Sequence, residues 1–138
     1  MADYLPLRLS PGDDLRPALL AAVASRACGA AFVVAGIGSL RDARLRLAGA
    51  PQATLLPGDV EILTLSGTLG TGGGHLHASV ADAQGRVTGG HVADGCVVRT
   101  TAEVLLLLLP ALEFARDVDA RTGFPELVVR TAADEKKG

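Results

Sequence analysis

His75-Leu76-His77-Ala78-Ser79-Val80-Ala81, then Asp82-Ala83-Gln84-Gly85, then Arg86-Val87-Thr88-Gly89-Gly90-His91: this stretch decides how the chain folds. Its two arms alternate in the manner of half-buried strands, and the four residues between them end in a glycine where a hairpin turn wants a positive φ. Strand residues two apart share a face, so His75 and His77 present their imidazoles side by side. All the histidines of the chain, three in number, fall in this segment. The antiparallel return carries His91 back towards the pair, and Gly89-Gly90 removes two side chains beside it, which allows backbones to approach closely.

Outward from the hairpin the pattern stays β-rich. Val60 to Leu69 reads as a long strand, Gln52 to Leu56 as a short one closed by Pro57-Gly58, and Gly70 to Gly74 as a flexible connection. Ala31 to Ala35 predicts a buried strand ended by Gly36-Ile37-Gly38-Ser39, and Leu40 to Leu47 alternates. Tyr4 to Leu9 predicts an opening strand, with Pro6 favouring an edge. Leu15, Leu19, Ala22 and Val23 recur at helical spacing after the turn residues Ser10 to Asp14, which predicts one helix over Asp14 to Ala27. Towards the C-terminus, Cys96 to Arg99 and Thr101 to Leu109 read as strands, the second buried on both faces. A further apolar-polar segment lies around Leu112 to Val118. Residues 1–131 are expected to form one domain and 132–138 a charged tail.

The composition is globular: 138 residues, 49% hydrophobic and 20% charged, with three Phe, one Tyr and no Trp, so the core is built from aliphatic side chains. A formal net charge of -2 opposes the broad basic field of an autonomous nucleic-acid binder. The densest basic piece is Arg41 to Arg46, where Arg44 and Arg46 share one strand face opposite Leu45. That is the pattern of a solvated face. Cys28 and Cys96 are far apart in sequence and belong to no metal or redox spacing, which fits free thiols in a reducing compartment. Met1 to Leu9 lacks the pattern of a secretory signal, and the apolar run ending at Pro110 is too short for a bilayer. A cytoplasmic protein is expected.

Neutral imidazole is the commonest metal ligand, and three imidazoles with an open fourth position make a catalytic zinc arrangement. His75, His77 and His91 are therefore the expected ligands of a divalent metal, with zinc the first candidate, although imidazole also suits nickel, copper and iron. Ring N–H groups turned away from the metal need acceptors, for which Glu61 and Glu103, carboxylates in otherwise apolar strands, are the candidates. A metal-bound water of lowered pKa would open hydrolytic chemistry, with one of these carboxylates as proton acceptor. Gly36-Ile37-Gly38 and Gly70 to Gly74 lack phosphate-loop spacing, and no serine or threonine has a nucleophile-elbow context.

Gly36-Ile37-Gly38-Ser39-Leu40, Glu61 to Leu69, His75 to Asp82, Gly85 to His91 and Thr101-Ala102-Glu103-Val104, taken in order, resemble the plants-and-prokaryotes conserved (PPC) domain in its stand-alone bacterial form. The resemblance spans about Leu7 to Leu109. It implies an α+β fold, a mixed or antiparallel sheet packed with one main helix, assembled as a homotrimer. It also implies that relatives with the His-x-His and Gly-Gly-His pattern hold a metal. In plant members the domain follows Arg-Gly-Arg-Pro-centred AT-hooks that bind DNA, and these 138 residues contain no such segment. The DNA-binding label of bacterial relatives does not transfer on fold kinship alone. The expectation is a trimeric metal-site protein, with DNA association and metal-dependent hydrolysis as alternatives.

Overall fold

Two strands of 17 residues, β2 (Ala30–Arg46) and β3 (Thr54–Gly70), form the spine of the structure. The computed structural model describes residues 2–133, so residues 134–138 of the expected tail lie outside the described residues. Around the spine run β1 (Asp3–Leu9), α1 (Leu15–Ala24), β4 (Gly73–Ala81), β5 (Val87–Val92), β6 (Val97–Leu108), β7 (Leu112–Val118) and β8 (Pro125–Thr131). Each spine strand merges two segments that the sequence reads as separate. Gly36-Ile37-Gly38 makes no turn: β2 continues through it, paired with β3 and β6, and absorbs the irregularity as bulges. Pro57-Gly58 likewise lies within β3, where the Gly58 amide donates to Asp42 Oδ1 at 2.8 Å.

The main sheet has the order β1-β6-β2-β3-β4-β5, and every ladder in it is antiparallel. The fold is α+β, and the sheet resolves to antiparallel rather than mixed. β5 also returns to the end of β2, pairing Val92 with Leu45 and His91 with Arg46. Strands β2, β3, β4 and β5 thereby close into a ring, while β6 and β1 extend the sheet from the other end of β2.

The core lies between the inner face of this curled sheet and α1. Leu15, Leu19 and Val23, spaced four apart, are the buried stripe of the helix, and they join Leu40, Leu45, Leu69 and Leu76 in one apolar cluster. Full burial of each such leucine is worth about 2 kcal/mol. The helix ends at Ala24, three residues before the expected Ala27: its last turn tightens as the Arg26 amide donates to the Val23 carbonyl and the Ala27 amide to the Ala24 carbonyl, and Ala27 then adopts φ 49°. Asp14 does not cap the helix with its side chain; its Oδ2 accepts from the Gly95 amide at 2.9 Å instead.

β6 departs from the expectation of burial on both faces. Ala102, Val104, Leu106 and Leu108 point into the core, while Leu105 and Leu107 on the outer side are only half-covered; over this side of β2 the Phe114 ring sits edge-on to Phe32, centroids 5.5 Å apart. Tyr4 and Phe32, both in register with Leu107, are 68% and 42% exposed. The β7-β8 hairpin forms its own two-stranded sheet. It is tied down where the Phe114 amide donates to the Gly29 carbonyl and the Gly72 amide donates to the Phe114 carbonyl, both at 3.0 Å. That anchorage brings Arg116 and the start of β8 beside the β3-β4 turn. No helix of the described residues is long and apolar enough to cross a membrane.

Candidate metal centre

Alternation along β4 buries Leu76 and Ala78 and leaves His75 and His77 exposed on the opposite face. Gly67 of β3 lies opposite Leu76 with φ 143°, and a Cβ there would meet the His75 carbonyl and Leu76 Cα. The two backbones therefore run closer at this point than a side chain would permit. His91 is the direct partner of His77 in the β4-β5 ladder and of Arg46 in the β5-β2 ladder. A Cβ on Gly90 would come within 2.9 Å of the Arg46 carbonyl, so the glycine before His91 is what lets β5 close on β2.

The three rings converge. Centroids are 4.8 Å apart for His75 and His77, 5.1 Å for His75 and His91, and 5.8 Å for His77 and His91. One ring nitrogen from each lies within 4.8 Å of the others. His75 Nε2 and His77 Nε2 are 3.1 Å apart, close to the edge of about 3.3 Å that two zinc-nitrogen bonds of about 2.0 to 2.1 Å at a tetrahedral angle would subtend. His91 Nδ1 is buried with no hydrogen-bond partner among the described residues, an orphan that calls for a ligand or a water. The donor set, spacing and orphaned nitrogen all fit a divalent metal.

Burial and neighbouring charge hold His75 and His91 in ligand form. Burial, then the neighbouring charges of His75 and Arg46, push the His91 pKa down to about 4. Burial, then His77 and Arg116, also lower His75. Neutral imidazole, the form that binds metal, is thus favoured near neutrality.

Two hollows open onto the triad. One, of about 300 Å³, lies over His75, His77 and His91 beside Leu47 and Gly89-Gly90. The other, of about 520 Å³, is walled by His75 and His91, by Arg46 and Arg116, by the backbone of Gly72 to Gly74, and by Phe124 to Glu126. Arg46 belongs to the piece read from sequence as a solvated strand face. Arg116 and Glu126 carried no sequence signal, because only the docking of β7-β8 brings them here.

Glu61 and Glu103 are not among these residues, which corrects the expectation that they orient the rings. Both are exposed and line a separate hollow of about 490 Å³ with Ser39 and Thr100, whose hydroxyls are 2.6 Å apart. Register explains the displacement. Glu61 pairs with Ser39 and with Ala81 at the far end of β4 from His75, and Glu103 pairs with Ile37 on the β6 side of β2. Being solvated, neither needs the buried partner that made it a candidate.

Residues 3–110 match the family described as the Plants and Prokaryotes Conserved (PCC) domain, the one written PPC above. The chain belongs to this family. A relative at 45% identity is the bifunctional protein GlmU of Synechococcus sp. (strain JA-3-3Ab), matched over 94% of this chain; the chain spans 21% of that protein's length. Among solved structures, a hypothetical protein of Salmonella cholerae-suis superposes with TM-score 0.91 at 41% identity, covering 96% of both chains. A metal-containing protein of Archaeoglobus fulgidus gives TM-score 0.79 at 25% identity, over 91% of this chain and 93% of that one. Proteins of Bacteroides thetaiotaomicron and Ralstonia eutropha whose names propose DNA binding share the PCC fold at TM-score 0.75, with 16% and 23% identity over 93% and 91% of this chain and 97% and 90% of theirs.

Proposed function

We propose that this PCC-domain protein is a homotrimer that holds one divalent metal per subunit, zinc in the first instance, through His75, His77 and His91. The observation that carries the reading is the convergence of three ring nitrogens within 4.8 Å from two adjacent strands. The structural likeness to an archaeal protein named for its metal adds support. The exposed apolar face bearing Tyr4, Val34 and Ile37 supports self-association, since an apolar patch of this kind marks an interaction surface. Cys28 and Cys96, both buried and unpaired, agree with a cytoplasmic setting.

Metal analysis of the untagged protein beside a His77→Ala variant tests the reading. About one metal per chain in the parent and a negligible amount in the variant is the expected result. Negligible metal in both removes the proposal. The hydrolytic alternative keeps its three-ligand count, but Glu61 and Glu103 are no longer its proton acceptors, and Glu126 is the carboxylate lining the groove beside the triad. DNA association has only the shared fold behind it.

A further inference from the structure

The groove of about 520 Å³ beside the triad has an unusual charge arrangement. Arg16, Arg41, Arg86, Arg99, Arg121 and Arg130 each lie within 4.0 Å of an aspartate. Arg8, Arg26, Arg44, Arg46 and Arg116 make no such pair among the described residues, and of these five Arg46 and Arg116 both line the groove. Arg116 Nη2 donates to Thr68 Oγ1 at 2.9 Å, and Arg46 makes only a 3.5 Å contact with the Ala50 carbonyl. Donors on both guanidiniums are left over. Guanidinium groups are forked donors matched to carboxylate and phosphate oxygens, and two of them beside a cation make a site for an anion. Glu126 is the carboxylate among the lining residues, and its Oε1 already accepts from Thr122 Oγ1 at 3.2 Å.

The geometry points to a binding site for a small oxyanion, a carboxylate or a phosphate group, held between the metal side of the histidine triad and the guanidiniums of Arg46 and Arg116. This rests on the metal reading: the ion supplies the positive end at His75 and His91, and the arginines supply the directional donors. Phe124, 68% exposed at the rim, offers an apolar surface to the remainder of such a ligand.

Isothermal titration of the full-length, zinc-loaded protein with inorganic phosphate in one arm and malonate in the other tests the inference and distinguishes the two oxyanion sources. Zinc content is measured on every sample. Binding of one probe or both is expected, weakened about tenfold by Arg46→Gln and by Arg116→Gln at unchanged zinc content. Arg86→Gln, altering an ion pair in the β4-β5 loop, is expected to leave binding unchanged. Glu126→Gln is expected to tighten it. No binding by zinc-loaded protein, or binding in both arginine variants as tight as in the parent, overturns the proposal while the metal reading stands. Weaker binding in Glu126→Gln also overturns it, since the carboxylate would then be the recognition group. A parent protein that takes up no zinc defeats the metal reading, and this inference falls with it. If Arg116→Gln fails to fold, Arg46→Gln decides, because Arg46 is exposed and has no ion pair to lose.

Discussion

His91 faces His77 directly across the β4-β5 ladder while pairing on its other side with Arg46 of β2. One residue thus belongs to the candidate metal centre, to the hairpin and to the closure of the strand ring. Replacing it by alanine is expected to abolish metal uptake and also to loosen β5. Elemental analysis reads the first effect, and amide exchange at Val87 to Val92, faster than in the parent, reads the second.

Glu61→Gln and Glu103→Gln provide the contrast. Both carboxylates lie in the hollow over Ser39 and Thr100, away from the rings. Metal content measured after dialysis is expected to equal that of the parent in both variants.

The metal-free protein is expected to lose stability on acidification. The folded His91 pKa, about 4, lies below the ordinary value of 6.5, and His75 is displaced in the same direction. Between those values the unfolded chain binds more protons than the folded one, so stability is level above about pH 6.5 and falls as the pH drops towards about 4. Urea midpoints at about pH 7.5 and about pH 5 measure this, and a His91→Gln variant is expected to show a smaller difference between them.

Gly67→Ala is expected to cost about 3 kcal/mol or more, because both the φ of 143° and the closeness of the His75 carbonyl oppose a side chain. Gly85→Ala meets nothing within 4 Å and has φ 77°, so only the backbone penalty of about 1 kcal/mol applies. Equilibrium unfolding of the two variants separates steric from conformational cost.

Ile37→Glu, on the apolar sheet face where Ile37 is 54% exposed, tests the trimer. Sedimentation is expected to give three times the chain mass of 14.0 kDa for the parent and a single chain for the variant.

Local chemistry was the legible part of this sequence. The hairpin, the His-x-His face, the single helix and the return of His91 all follow from residue spacing, and the structure places each accordingly. Strand merging was not legible, because glycines that normally punctuate a chain here lie inside strands: Gly36 and Gly38 in bulged β2 between β3 and β6, and Gly58 in β3 at the β2 bulge, bonded to Asp42. The fate of Glu61 and Glu103 depended on register between strands distant in sequence, which alternation within one strand does not encode. Arg116 and Glu126 reach the groove only through the anchorage of Phe114 to Gly29, a long-range contact with no sequence motif.

The ring of strands is fastened along β2 and β5 by only two residue pairs, Leu45 with Val92 and Arg46 with His91. The second pair is built from site residues. A ligand held at His91 is therefore expected to stiffen this seam, read as slower amide exchange at Val92 in the loaded protein than in the metal-free one.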